Sequence, residues 1–242
     1  MLRLGWGVFS MEKEIIYWYN IIGSLYEKEV RIIKILFWNI YNKNLISPLI
    51  DMIKENQLDI VSLAEAENLD ITAILNHLKL SGNEWNDIQI SPQNDIRVLA
   101  KKEIKIIPYK EDGHYSIYKI KKYDKVDCLL VVVHLLSKKT KSNEAQYNRA
   151  NDIARELNKY EQEFFENNEK RTIIVGDFNM QPYEAGICSG YGFNATMSAS
   201  HAAKKTRKID GRTTYLYFNP IWALMGANKL VQGSYYNSGD KD

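Results

Sequence analysis

The segment that most constrains the fold is a short apolar run followed by a glycine, an acid and an amide. Residues 172–175 are apolar or β-branched, which predicts a short buried strand. Asp177 and Asn179 follow Gly176 and stand two residues apart. Because residues i and i+2 of an extended segment point to the same side, we expect both side chains to reach one cleft. A carboxylate beside an amide donor suits a hard metal ion and a phosphate, whereas an ordinary Gly, Asp and Asn turn is the alternative interpretation.

The order of apolar runs and amphipathic stretches predicts an α/β fold. Strands are expected at 32–39, 59–65, 96–100, 104–109, 115–120 and 126–136, and helices at 46–56, 71–80 and 142–165. The strand, helix, strand, helix order at the start predicts layers of sheet and helix. The four strands in the middle lack intervening helices, which indicates antiparallel pairing, and Asp112-Gly113 is a turn signal between them.

The two ends of the chain are less regular. Apolar residues between Ile15 and Leu25 recur at roughly helical spacing, so residues 1–29 are predicted to be a helical N-terminal extension of a domain spanning 30–242. Residues 181–201 are rich in Gly, Ser, Ala and Asn, which predicts a long surface loop. A strand at 213–218, a short helix at 220–224 and a strand at 230–236 are expected after it.

Composition excludes few functions. The net charge of +2 over 242 residues neither requires nor excludes nucleic acid as a partner. Cys128 and Cys188 give no disulfide framework, which favours a cytoplasmic location with reduced thiols. The apolar stretches are too short for a transmembrane segment.

Four of the predicted strands carry a polar residue of catalytic type near their end. These residues are Asn39, Glu65, His134, and Asp177 with Asn179. If the strands are neighbours with the same ends at one sheet edge, the side chains converge on a cleft. Each residue also has a plainer interpretation: Asn39 as a turn residue, Glu65 or nearby Glu67 as a solvated carboxylate, and His134 as a structural histidine.

These motifs, in their order along the chain, resemble the endonuclease/exonuclease/phosphatase superfamily. The resemblance rests on Ile35-Leu36-Phe37-Trp38-Asn39-Ile40, Asp59-Ile60-Val61-Ser62-Leu63-Ala64-Glu65, Val133-His134-Leu135 and Val175-Gly176-Asp177-Phe178-Asn179, and it covers about Val30 to Asn219. The superfamily includes pancreatic-type deoxyribonucleases, abasic-site endonucleases, neutral sphingomyelinases and inositol polyphosphate 5-phosphatases. Arg149 also resembles a family position.

The resemblance implies a four-layer α/β/β/α sandwich with two mixed sheets, and hydrolysis of a phosphate ester by metal-activated water. Glu65 would be the principal Mg²⁺ or Mn²⁺ ligand, with Asn39 assisting through the metal's water shell. Asp177 would orient or deprotonate the attacking water, or hold a second ion. Asn179 would donate to the phosphate oxygens, and His134 would stabilise the transition state or protonate the leaving oxygen.

The C-terminal part departs from the family pattern. Family members end with a further Asp and a Ser-Asp-His segment, whereas the histidines here are His77, His114, His134 and His201. Asp210 lacks the apolar strand expected after it, and Ser238-Gly239-Asp240 is not followed by histidine. We therefore expect a chain truncated at its C-terminal edge, with an exposed sheet edge and impaired turnover.

The leading functional hypothesis is a metal-dependent, nuclease-like phosphodiesterase. Two basic clusters are candidates for contacting substrate phosphates, although a basic loop is more commonly only solvated. They are Lys138, Lys139 and Lys141, and Lys204, Lys205, Arg207 and Lys208. The choice among DNA, RNA, a phospholipid head group and an inositol phosphate stays open. The alternative hypothesis is a relative that binds a phosphate ligand or a partner without turnover.

Overall fold

The described residues fall into two units. The structure is a computed structural model that describes residues 4–11, 14–22, 32–89, 91, 94–122, 125–166 and 171–221. Among these, the first unit holds the residues up to Val133 together with Thr172–Asp177, and the second holds His134–Arg171 and the residues from Phe178. No helix of the described part of the chain is both long and apolar enough to pass through a bilayer.

A six-stranded mixed sheet organises the first unit. Its strands are β1 (Leu4–Met11), β2 (Glu14–Ile22), β3 (Ile32–Asn39), β4 (Ile60–Ala64), β5 (Trp85–Asp87) and β6 (Arg97–Lys101), in the order β1-β2-β3-β4-β6-β5. The β3 and β4 strands are parallel, and the other neighbours are antiparallel. Asn39 and Ala64 pair at the ends of β3 and β4, so Asn39 lies next to the residue that follows β4, Glu65.

Two helices cover one face of this sheet. Helix α1 (Ile46–Asn56) connects β3 to β4 and is the crossover that this parallel pair requires. Helix α2 (Ile71–Leu80) follows β4. The Asp70 carboxylate accepts from the Ala73 N–H at 2.9 Å and caps the start of α2. The shared core contains Leu36, Trp38, Leu49, Ile53, Val61, Leu63, Ile74, Leu78 and Leu99, all buried. The predicted bounds of both helices are confirmed.

A four-stranded sheet packs on the other face. Its strands are β7 (Ile106–Asp112), β8 (Tyr115–Lys122), β9 (Lys125–His134) and β10 (Thr172–Asp177), in the order β10-β9-β8-β7. The predicted antiparallel pairing of β7, β8 and β9 is confirmed. The Asn94 amide donates to the Ser116 hydroxyl at 2.9 Å between the two sheets, and β10 lies against β3 and β4. The predicted α/β fold class with two sheets is therefore confirmed.

The second unit is built on the long helix α3 (Asn143–Phe164). Its N-cap is Ser142, whose hydroxyl accepts from the Ala145 N–H at 3.2 Å. The other elements are α4 (Ala185–Cys188), β11 (Ala195–Thr196), α5 (Ala199–Ala202), β12 (Thr206–Ile209), β13 (Arg212–Tyr215) and β14 (Tyr217–Phe218). Strands β11 and β14 are parallel, and β12 and β13 form a hairpin.

The predicted N-terminal helix is wrong. The structure has the antiparallel strands β1 and β2 there, and β2 pairs with β3 from Ile15 opposite Asn39 to Ile22 opposite Ile32. The apolar residues of this segment are largely β-branched or aromatic, which favours strands, and their spacing does not by itself separate the two structures.

The segment after Asn179 is more regular than predicted. The expected loop contains α4, β11 and the start of α5, and the second basic cluster lies at the base and in the first strand of the β12–β13 hairpin. The predicted strand at 213–218 is divided between β13 and β14. The predicted strand at 230–236 and most of the predicted helix at 220–224 lie outside the described residues.

Candidate functional site

The Asn39 side chain joins two carboxylates in the first unit. Its amide nitrogen donates to Oε1 of Glu65 at 3.0 Å and to Oδ2 of Asp177 at 3.2 Å. The two carboxylate oxygens therefore lie no more than about 6 Å apart. The three residues come from the ends of β3, β4 and β10, so the convergence expected from the strand ends is observed for them.

A backbone contact sets the orientation of the Asn39 amide. The Tyr41 N–H donates to Oδ1 of Asn39 at 3.0 Å, which directs the NH₂ group toward the carboxylates. Direct ligation of a metal by Asn39 would use this same oxygen. In this arrangement Asn39 acts as a donor that holds two carboxylates near each other.

The backbone of Glu65 is strained. Its φ of 51° lies in the left-handed region, which costs a non-glycine residue on the order of 1–3 kcal/mol unless neighbouring contacts impose it. The Asn42 N–H donates to the Glu65 carbonyl at 2.7 Å, and Oδ1 of Asn42 accepts from the Glu67 N–H at 3.2 Å. The turn after β3 thus fixes the turn after β4 and, with it, the direction of the Glu65 side chain.

A glycine sets the position of Asp177. Gly176 has φ of 150°, and a Cβ atom there would lie 1.9 Å from the carbonyl oxygen of Val133. Only glycine permits this close approach of β10 to β9. Asp177 is the last residue of β10, and its side chain is largely buried.

The other two predicted site residues belong to the second unit. His134 ends β9 and is half-buried. The Asn179 side-chain amide donates to the Leu135 carbonyl at 2.9 Å, and its φ of 51° shows that the extended backbone ends before it. Asp177 and Asn179 therefore do not belong to one extended segment, so the rule that alternate residues of a strand point to the same side does not apply to them.

Gln146 connects the two loops of the second unit that carry predicted site residues. It is 1% exposed on α3, and its amide nitrogen donates to the carbonyls of Leu136 at 2.6 Å and Asn179 at 2.7 Å. The sequence signal for this role is that Gln146 is a polar residue on the apolar stripe of α3, one turn before Ala150. The sequence prediction did not include it.

The residues around Asn39 suit a hard divalent cation. Within the described ranges no group of three or more His, Cys, Asp or Glu residues is arranged to hold a metal. Mg²⁺, however, uses one or two carboxylates and retains water or substrate oxygens as its other ligands. Two carboxylates that share one amide donor, with oxygens no more than about 6 Å apart, fit such a sparse set, and Glu65 and Asp177 are the candidate ligands.

The basic clusters contain residues whose side chains bond to other parts of the chain, and six exposed lysines. Lys138 forms an ion pair with Glu184, and the Arg207 guanidinium donates to the Cys188 carbonyl at 3.1 Å. The exposed lysines are Lys138, Lys139, Lys141, Lys204, Lys205 and Lys208. Arg149 lies half-buried on α3.

Comparison with family models and with curated proteins gave no match. Similar solved structures include TDP2 from C. elegans, which is 14% identical with 71% of this chain and 49% of that chain covered and a TM-score of 0.42. They also include an AP endonuclease from Archaeoglobus fulgidus (14% identical, 62% and 58% covered, TM-score 0.41) and an endonuclease/exonuclease/phosphatase from Bacteroides vulgatus (16% identical, 57% and 59% covered, TM-score 0.37). The chain spans about half to three fifths of the length of these proteins. The last of these structures bears the name of the superfamily that the sequence motifs resemble.

Proposed function

We propose that this chain hydrolyses a phosphodiester in a nuclease-like reaction that depends on Mg²⁺ or Mn²⁺. The observation that carries the proposal is the pair of carboxylates, Glu65 and Asp177, that share the amide of Asn39. Two anionic oxygens in this proximity repel each other, and a divalent cation between them removes the repulsion. The strained backbone of Glu65 supports the same conclusion, because such strain concentrates at functional sites.

The proposed roles combine the hydrogen bonds of these residues with the roles that the resemblance implies. Glu65 and Asp177 would hold the cation, and Asn39 would keep both carboxylates directed toward it. When bound, Mg²⁺ supplies Lewis-acid stabilisation of phosphate charge and lowers the pKa of a coordinated water. Asp177 would orient the attacking water and accept its proton.

His134 and Asn179 keep the roles implied by the resemblance. Asn179 would donate to a phosphate oxygen, and His134 would protonate the leaving oxygen. Gln146 and the Leu135 carbonyl hold the Asn179 backbone and side chain, so this residue is positioned by contacts within its own unit.

The test is hydrolysis of bis(4-nitrophenyl) phosphate and of a labelled single-stranded oligonucleotide, with Mg²⁺ and with excess chelator. We expect hydrolysis only with the metal. Glu65→Gln should lower kcat/KM by about 100-fold or more, since it removes a charged ligand and leaves the shape unchanged. Glu67→Gln is the matched control, because Glu67 is exposed two residues away.

Either of two outcomes would contradict the proposal. Equal rates with and without chelator would exclude metal-dependent hydrolysis, and equal rates for Glu65→Gln and the wild type would remove Glu65 from the site. Calorimetric titration with Mg²⁺ and a nucleotide separates binding from turnover. Binding of both without hydrolysis would favour the alternative, a chain that binds phosphate ligands without turnover.

A further inference from the structure

An exposed aromatic ring lies next to the carboxylate pair in a strained conformation. Tyr41 is 66% exposed, and its φ of 51° is in the left-handed region, as is that of Asn42 at 53°. A bulky side chain in this region is a genuine outlier, whereas glycine or asparagine would adopt it at lower cost. The exposed ring buries little of its surface in the described part of the chain, so its face is open to a ligand.

Hydrogen bonds on both sides impose the conformation of Tyr41. Its N–H donates to Oδ1 of Asn39 at 3.0 Å, and the following residue, Asn42, donates its N–H to the Glu65 carbonyl at 2.7 Å. The Lys43 N–H closes the turn on the Ile40 carbonyl at 3.0 Å. The backbone that carries the ring is therefore fixed by the same residues that form the candidate metal site.

The Tyr41 backbone lies close to the two carboxylates, so its side chain can reach a phosphate bound there. The Tyr41 nitrogen lies within about 9 Å of both carboxylate oxygens, from the hydrogen-bond lengths and the width of one amide group. A tyrosine side chain is comparable in length to that separation. In a nucleic acid strand a base lies at a similar distance from its own phosphate, so a Tyr41 ring directed toward that phosphate can stack on the base.

We propose that Tyr41 stacks on a nucleobase adjacent to the scissile phosphodiester, so that the substrate is a nucleic acid strand with an unpaired base there. This inference rests on the proposed function and narrows its substrate. Every nucleobase has a flat π-face that stacks on an aromatic ring, whereas phospholipid head groups and inositol phosphates have none. An unpaired base is required because a base inside a duplex is already stacked on both faces.

The experiment compares Tyr41→Ala, Tyr41→Phe and wild type on two single-stranded oligonucleotides. One carries normal bases, and the other has abasic residues on both sides of the cleavable bond. Stacking is worth about 1–3 kcal/mol per base, so Tyr41→Ala should lower kcat/KM on the first oligonucleotide by about 5- to 160-fold. On the abasic oligonucleotide it should match the wild type, and Tyr41→Phe should behave as wild type on both. Tyr183→Ala, which removes a ring that is 59% exposed elsewhere, is the control.

The outcomes separate this inference from the proposed function. Equal losses on both oligonucleotides, or no loss on either, would overturn the stacking role of Tyr41 while leaving hydrolysis in place. If the wild type cleaves neither oligonucleotide, the proposed hydrolysis fails. Binding of the same labelled oligonucleotides, measured by fluorescence anisotropy, then tests stacking. Tighter binding of the base-containing strand by wild type than by Tyr41→Ala supports the inference, and equal binding overturns it.

Discussion

The buried amide of Gln146 donates to the backbone carbonyl of Asn179 at 2.7 Å and to that of Leu136 at 2.6 Å. One side chain from α3 thereby holds the loop after β9 and the loop after β10. The two carbonyls also determine the orientation of the amide, because its NH₂ group must face both of them. We infer that Gln146 positions Asn179 without itself touching a substrate.

Replacing Gln146 with methionine should destabilise the protein, because the two carbonyls lose this donor and the side-chain volume changes little. A buried polar group that loses its partner costs about 1–3 kcal/mol, so urea unfolding should show a decrease of at least that size. Gln162→Met is the control, because Gln162 is exposed on the same helix. Similar unfolding free energies for the two variants would contradict the inferred role of Gln146.

Gly176→Ala should be among the most destabilising single substitutions in the described chain. The new Cβ would lie 1.9 Å from the Val133 carbonyl oxygen, a backbone atom within β9 that cannot move without distorting the sheet. We expect a loss of more than about 3 kcal/mol in urea unfolding. Gly82→Ala separates this clash from backbone strain, since Gly82 has φ of 81° and nothing within 4 Å of the added atom. That control should lose only about 1–2 kcal/mol, and equal losses would exclude the clash.

Much of the fold could be predicted from the sequence because several elements carry independent local signals. Helix α2 combines an apolar stripe with a cap at Asp70, and α3 combines one with a cap at Ser142. The segment of β1 and β2 lacked such a signal: its apolar residues fit a helix or a strand, and pairing of β2 with β3 decides between them. Pairing of this kind is a tertiary interaction that local sequence does not encode.

The site could be predicted only in part for a similar reason. Strand ends placed Asn39 and Glu65 together, because the parallel neighbours β3 and β4 end at the same edge of their sheet. Asp177 joins them from β10 of the other sheet, which lies against β3 and β4. The left-handed backbone of Tyr41 and Glu65 was not predictable, since it depends on hydrogen bonds between turns that are distant in sequence. The residue types did not indicate it either, because tyrosine and glutamate do not favour the left-handed conformation.

Asn39→Asp should make folding depend on a divalent cation. The variant brings a third carboxylate against Glu65 and Asp177, and the two like charges raise the pKa of the introduced carboxyl group in the folded state. The folded state then binds more protons than the unfolded state, so without metal the stability of the variant should rise as the pH falls from 7 toward 5. Mg²⁺ should raise its Tm more than that of the wild type. Asn39→Leu removes the amide without adding charge, and an identical response to pH and Mg²⁺ in both variants would contradict the charge cluster.

Tyr217→Phe should remove an alkaline dependence of stability. The Tyr217 hydroxyl donates to Oε1 of Glu161 at 2.8 Å, and burial, together with the charge of Glu161 and this hydrogen bond, raises the pKa of Tyr217 well above its ordinary value of 10.0. The folded state therefore retains a proton that the unfolded state releases, so wild-type stability should fall as the pH rises through about 10.

Urea unfolding between pH 8 and 11 should show that the free energy of unfolding of the wild type exceeds that of Tyr217→Phe by a margin that shrinks as the pH increases. Tyr191→Phe is the matched control: the hydrogen bond to Asp210 raises the pKa of Tyr191, but its hydroxyl is solvent-exposed and the interaction is screened, so its removal should change the pH profile less than Tyr217→Phe does. A constant difference between wild type and Tyr217→Phe across this range would show that the Tyr217 hydroxyl does not titrate differently on folding.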